Sequence, residues 1–74
     1  MKAINSKFSY KPLWKLLIDR NMSSQQLREL TGLSPASISK LKKGQNVNTD
    51  VLLCICEALQ CKIEDIVEID KYVS

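Results

Sequence analysis

The 74-residue sequence predicts a small all-α domain of five helices, with short terminal segments that read as strands. Three observations carry that prediction. Apolar residues recur at three- and four-residue spacing in separate windows, small polar residues suited to helix caps stand before most of them, and a glycine closes two of them.

Residues 1–10 form an N-terminal arm that alternates weakly, with Ile4, Phe8 and Tyr10 on one side of an extended chain and Lys7 and Ser9 on the other. Pro12 suits a first helical turn, and Leu13, Leu16 and Leu17 follow at helical spacing up to Asn21. Ser23 or Ser24 caps a second helix, with Gln26 in capping-box position after Ser23 and with Leu27 and Leu30 as its apolar face. Gly32 ends it in the left-handed conformation that closes many helices. Ser34 and Pro35 then start a third helix as N-cap and first-turn residue. Its large apolar side chains are Ile38 and Leu41; the others are small or cationic up to Gly44.

Asn48 or Thr49 caps a fourth helix, whose Leu52, Ile55, Cys56 and Leu59 make a core stripe at i, i+3, i+4 and i+7. Cys61 to Val67 reads as a short fifth helix through Ile63, Ile66 and Val67. Residues 67–73 return to alternation through Ile69. The two alternating ends suit an antiparallel ribbon, within one chain or between two.

The length fits one domain, residues 1–74, and 45% hydrophobic with 26% charged residues is the composition of a chain that folds. No apolar run approaches the roughly 20 residues of a membrane span. The N-terminus lacks the apolar stretch of a signal peptide, so a cytoplasmic, nucleoid-associated location is expected.

The sequence has no histidine, which removes the commonest general base and the commonest metal ligand. Without a phosphate loop or metal-ligand spacing either, no enzymatic activity, cofactor or metal is expected. Cys54, Cys56 and Cys61 are an odd number within an apolar stretch and read as reduced core cysteines, with a thiol redox switch as the lesser alternative.

The net charge of +3 is unevenly spread. Residues 1–43 hold nine Lys or Arg against Asp19 and Glu29, whereas residues 44–74 hold Lys62 and Lys71 against six Asp or Glu. One basic side of the molecule points to a polyanionic partner. Two short helices joined by a tight glycine turn over residues 23–43, the second presenting small and basic side chains opposite a narrow apolar seam, form a helix-turn-helix arrangement.

At this point the residues resemble a known family. The run from Met22 to Gly44, MSSQQLRELTGLSPASISKLKKG, is similar to the helix-turn-helix of the Cro and phage-repressor type, often called the XRE family. The run from Asn48 to Ile66, NTDVLLCICEALQCKIEDI, resembles that family's helices four and five, and YKPLWKLL from Tyr10 to Leu17 resembles its first helix. The likeness is to the short, stand-alone members and covers roughly residues 10–68.

The resemblance implies a five-helix Cro/phage-repressor-like domain that places residues 34–43 in the major groove of double-stranded DNA. By position, Pro35, Ala36, Ser37, Ser39 and Lys40 fall where family members face bases, and Ser24, Lys42, Lys43, Gln45 and Asn46 where they meet phosphates. Lys40 is the best candidate for base reading, since lysine donates to O6 and N7 of guanine. Lys42 and Lys43 are expected to act on backbone affinity.

Three departures from the family pattern fall at four positions: Ser24 stands where glutamine is frequent, Arg28 where alanine is, and Leu17 with Lys42 where a cation and a glutamate often pair. The last two change together and so strand no buried charge. Pro35 and Ala36 replace glutamine-type readers, so no operator sequence follows from the likeness. Tyr10 and Trp14 are read as core or dimer contacts and not as a base-stacking platform.

The expected function is therefore a sequence-specific DNA-binding transcriptional regulator, a repressor in preference to an activator, and a homodimer at least on DNA. The alternative is a protein-interaction module of antitoxin or antirepressor type, whose basic face meets an acidic protein partner.

Overall fold

The computed structural model describes residues 6–71. Along the chain run β1 (Ser6–Ser9), α1 (Lys11–Asp19), α2 (Ser24–Thr31), α3 (Pro35–Lys43), α4 (Thr49–Leu59), a single 3-10 turn (Ile63–Asp65) and β2 (Glu68–Lys71). The fold is thus mostly helical, with four α-helices and a two-stranded ribbon.

Each helix end follows from its cap. The Ser23 side chain accepts the Gln26 N–H at 3.1 Å while the Gln26 side chain accepts the Ser23 N–H at 2.8 Å, a complete capping box. Ser34 Oγ accepts the Ser37 N–H at 3.2 Å, with Pro35 in the first turn of α3. Gly32 and Gly44 close α2 and α3 at φ 73° and 71°, the left-handed region that costs other L-residues roughly 1–2 kcal/mol. Helix α4 begins after Asn48 without a side-chain cap bond, and Gln60 ends it at φ 51°. The Arg20 guanidinium donates to the Leu59 carbonyl, which joins the end of α1 to the end of α4.

One core serves all the elements. Leu13 and Leu17 of α1, Leu27 of α2, Ile38 and Leu41 of α3, and Ile55 and Leu59 of α4 are buried together with Tyr10 and Ile66. Burying each such side chain contributes about 1.5–3 kcal/mol. Helix α2 packs on α3 and α4, and the 3-10 turn packs on α1 and α4. No helix among the described residues is long and apolar enough to cross a membrane.

The two ends pair within one chain: β1 and β2 are antiparallel, with Phe8 opposite Ile69 and Lys7 opposite Asp70. The expected faces of the arm are partly reversed. Ser9 is buried and Phe8 is 50% exposed, because the turn into α1 sends Ser9 and Tyr10 inward and leaves Phe8 on the outer side of the ribbon. Ile4, expected beside Phe8, lies outside the described residues.

Other expectations need correction. The predicted fifth helix, Cys61 to Val67, is one turn of 3-10 helix. Its bonds run from the N–H of Asp65 to Lys62 and from the N–H of Ile66 to Ile63, and in that segment Ile66 alone is buried. Leu30 does not anchor α2. It is 54% exposed and lines a shallow hollow with Arg20, Met22 and Gln26, because α2 turns Leu27 alone squarely inward. Leu52 and Cys56 flank the α4 stripe as half-buried residues instead of filling the core.

The three cysteines are free and half-buried, not fully enclosed. The Cys54 thiol donates to the Thr31 carbonyl at 3.4 Å, linking α4 to the end of α2. Burial, with Cys56 and Asp65 nearby, pushes the Cys61 thiol up.

Candidate nucleic-acid interface

Helix α3 is seated by one side and open on the other. Ile38 and Leu41, three residues apart, are buried, so the opposite face turns to solvent. That open face presents Ala36, Lys40 and Lys43, all exposed, with the half-buried Ser39 between them. At its N-terminus Pro35 and Ala36 are exposed and small enough to let the backbone approach another surface closely. The last turn adds Lys42 on the flank toward α2, giving three lysines within one turn.

Ser37 sits differently from the other expected base-facing residues. It is half-buried on the flank, its N–H is held by Ser34 Oγ, and the two hydroxyls lie 3.2 Å apart. Its hydrogen-bonding capacity is therefore partly used by the cap. Pro35, Ala36, Ser39 and Lys40 carry no such commitment among the described hydrogen bonds.

A shallow crevice runs between α2 and α3, lined by Ser24, Gln25, Arg28, Pro35, Ser39 and Lys42 over the edge of Ile38. Ser24 and Lys42, expected at phosphate positions, are thus brought together from two helices. A second hollow extends from them to Trp14, Leu17, Ile18 and Met22 of the first helix and its turn. Leu17 and Lys42, where relatives of the resembled type pair opposite charges, still share this hollow: Leu17 is buried and Lys42 is in solvent. Arg28 points outward into the crevice, which is how α2 accommodates an arginine at that position.

Gln45 and Asn46 lie at the other end of α3. The Gly44 N–H is accepted by Leu41 and Lys40 carbonyls, and the Gln45 N–H by the Lys40 carbonyl at 2.9 Å, so the turn is fixed on the helix that precedes it. Tyr10 donates its phenolic O–H to the Gln45 carbonyl at 3.0 Å from below. Burial pushes the Tyr10 phenol up, against a lowering contribution from the Val47 backbone. Gln45 and Asn46 are exposed and border a hollow with Ser6, Lys7, Phe8 and Ile69.

The expected site therefore falls into three parts. Lys40, Lys43, Ala36 and Ser39 form the open face of α3; Ser24 and Lys42 form one rim; Gln45 and Asn46 form the other. Sequence reasoning missed Gln25 and treated Arg28 only as a departure, although both line the crevice next to Ser39 and Lys42. The signal for Arg28 was available, since it lies four residues after Ser24 and three after Gln25, the helical spacings that bring side chains together. Among the described residues no cluster of three Cys, Asp or Glu is arranged to hold a metal ion.

Three comparisons place this geometry among known proteins. The profile of the Cro/C1-type HTH DNA-binding domain matches residues 12–71. The uncharacterized HTH-type transcriptional regulator YozG of Bacillus subtilis (strain 168) is 38% identical over 55 residues, covering 72% of this chain. The chain spans 66% of the length of that curated relative. The crystal structure of transcriptional regulator VanUg, Form II, superposes with a TM-score of 0.92 at 45% identity, over 96% of this chain and 95% of that one.

Proposed function

The chain belongs to the Cro/C1-type helix-turn-helix DNA-binding domain family, and from that premise we propose that it is a transcriptional regulator that binds double-stranded DNA sequence-specifically through α3. The observation that carries this reading is the exposed face of α3: small side chains at the capped end and Lys40 and Lys43 on the open side, held rigidly by Ile38 and Leu41. A helix of this width fits the major groove, and its N-terminal residues are the ones that approach base edges.

In this reading Lys40 reads guanine O6 or N7, worth about 1–3 kcal/mol of discrimination against a wrong base. Pro35 and Ala36 set the close approach, and Ser39 adds a hydroxyl that donates or accepts. Ser37 contributes less, because its cap contact competes. Ser24, Lys42 and Lys43 grip phosphates on one side and Gln45 and Asn46 on the other, with Arg28 and Gln25 adding to the first group. Contacts of this second kind fix register and orientation.

The protein acts as a repressor, since occupancy of a site by a domain of this size blocks access to that DNA without needing a further activating surface. It binds as a homodimer on an inverted repeat whose half-sites lie about one helical turn apart. The location is the cytoplasm, where the nucleoid offers such duplexes.

Selection of bound duplexes from a random DNA pool, repeated at two salt concentrations, tests the reading. A palindromic motif that persists at the higher salt supports it. Binding that yields no motif and disappears with salt contradicts sequence-specific readout and directs the search to an acidic protein partner.

A further inference from the structure

The C-terminal end of α4 is closed by two nested backbone bonds. The Gln60 N–H donates to the Glu57 carbonyl at 3.3 Å and the Cys61 N–H to the Cys56 carbonyl at 3.0 Å, with Gln60 in the left-handed region at φ 51°. This is the Schellman arrangement, whose two outer residues bring their side chains together across the helix end, frequently as an apolar contact. Here both outer residues are cysteine.

The side chains follow the backbone. The two thiols lie within hydrogen-bonding reach of each other, and both are half-buried. A disulfide requires Cα atoms roughly 4.4–6.8 Å apart and Cβ atoms that face each other. The outer Schellman bond draws the two Cα atoms together, and the contact between the thiols means that the side chains already converge. Cys54 is the contrast within the same helix. It stands two residues before Cys56, a spacing that does not face it, and its thiol is engaged with the Thr31 carbonyl at 3.4 Å.

We propose that Cys56 and Cys61 form a reversible disulfide within one chain when the reduced protein meets a hydroperoxide. Cys56 lines a surface groove beside Phe8, Leu53 and Ile63, so it is the thiol that a small oxidant reaches first. Burial, and after it Cys56 itself, push the Cys61 thiol up, which makes Cys61 the poorer first nucleophile and the resolving partner.

The chemistry takes two steps. The Cys56 thiolate, its proton lost to solvent, attacks one peroxide oxygen; an S–O bond forms, the O–O bond breaks, and the departing oxygen takes up a proton. The product is a sulfenic acid, which condenses with a neighbouring thiol. The Cys61 sulfur, its proton also lost to solvent, attacks Cys56 Sγ; the S–S bond forms, the S–O bond breaks, and the leaving hydroxide is protonated to water. In sum, two thiols and hydrogen peroxide give a disulfide and two waters, with two electrons passing from the sulfurs to the peroxide.

The bridge closes a segment that contains Leu59, whose carbonyl accepts the Arg20 guanidinium. Oxidation therefore pins the joint between the ends of α1 and α4. The proposal is independent of DNA binding and is tested without DNA.

The purified full chain is reduced with dithiothreitol, desalted and exposed to hydrogen peroxide. It is then denatured, alkylated with iodoacetamide and cleaved after Glu57, which separates Cys56 from Cys61 unless a bridge joins them. In the wild type, alkylation is expected at Cys54 alone, with two fragments that stay joined until dithiothreitol is added. Cys54→Ser is expected to give the same joined fragments, which assigns the bridge to Cys56. Cys61→Ser is expected to give none and to accumulate sulfenic or sulfinic acid at Cys56. Three alkylated thiols in the peroxide-treated wild type, a bridge through Cys54, or a disulfide between two chains overturns the proposal. The wild-type map decides the matter even where a variant does not fold.

Discussion

The phenol of Tyr10 donates to the backbone carbonyl of Gln45 at 3.0 Å, across 35 residues of sequence. Tyr10 ends the N-terminal arm and begins α1; Gln45 begins the turn that leaves α3. The contact therefore ties the helix proposed to enter DNA to the ribbon and the first helix, and it does so at the end of α3 away from the cap. Together with the Ser34 cap at the other end, it fixes α3 at both termini.

Tyr10→Phe removes one hydrogen bond and leaves the Gln45 carbonyl without its donor. The expected loss of stability is about 1 kcal/mol, or roughly 4–8 °C in melting temperature for a domain of this size. Thermal unfolding followed by circular dichroism measures it, and an unchanged midpoint would show that the bond adds nothing to stability.

The same residue predicts a pH dependence. Burial raises the Tyr10 phenol above its ordinary value, so the folded state favours the neutral form. The stabilisation is fully present below the ordinary tyrosine range, about pH 10, and is lost as the pH climbs through the higher folded value. The stability difference between wild type and Tyr10→Phe is therefore expected to narrow above about pH 10. Denaturant unfolding at several alkaline pH values checks it; a constant difference contradicts it.

Gly32 makes the turn between α2 and α3 at φ 73°, and a Cβ added there would meet nothing within 4 Å. The cost of Gly32→Ala is thus conformational and not steric, about 1–2 kcal/mol. Urea unfolding is expected to show a lower midpoint with the same slope. A loss much above that range would mean that the turn is packed more tightly than this geometry shows.

Ser23→Ala disrupts a reciprocal cap, since Ser23 Oγ and the Gln26 side chain each satisfy the other's backbone N–H. A destabilisation of about 1 kcal/mol is expected, and Ser23→Asp is expected to recover most of it because a carboxylate accepts the same bond. Paired thermal melts of the two variants decide the matter, and equal loss in both would place the effect elsewhere.

Where local chemistry dictates the backbone, the structure was legible in the sequence. Ser23, Gln26, Gly32, Ser34, Pro35 and Gly44 mark the ends of α2 and α3 because caps and left-handed glycines act through immediate neighbours. Ile63, Ile66 and Val67 misled for the opposite reason. Helical spacing over so short a segment does not decide between an α-helix and a single 3-10 turn, and the chain here needs only to bring Ile66 inward. Leu30 misled because three-residue spacing alone does not tell which apolar residue a neighbouring helix covers: α2 docks on α3 and α4 with Leu27 buried and Leu30 54% exposed. Of the site, the open face of α3 was readable from Ile38 and Leu41 alone. The crevice that joins Arg28 to Lys42 was not, since it depends on how two helices cross. The exposed pairing of Phe8 with Ile69 also required the ribbon to be seen, because alternation cannot tell which side faces out.

Duplex binding by the open face of α3 is tested most directly by the Lys40→Ala, Lys43→Ala double variant. Both side chains are exposed, so folding should be retained, which circular dichroism verifies. Fluorescence-anisotropy titration of a selected duplex over a range of salt is expected to show at least tenfold weaker binding, about 1.4 kcal/mol. The salt dependence should also become shallower, by about 0.9 for each phosphate that the variant no longer neutralises. A folded double variant that binds the duplex as tightly as the wild type, with the same salt slope, would contradict DNA binding through this face.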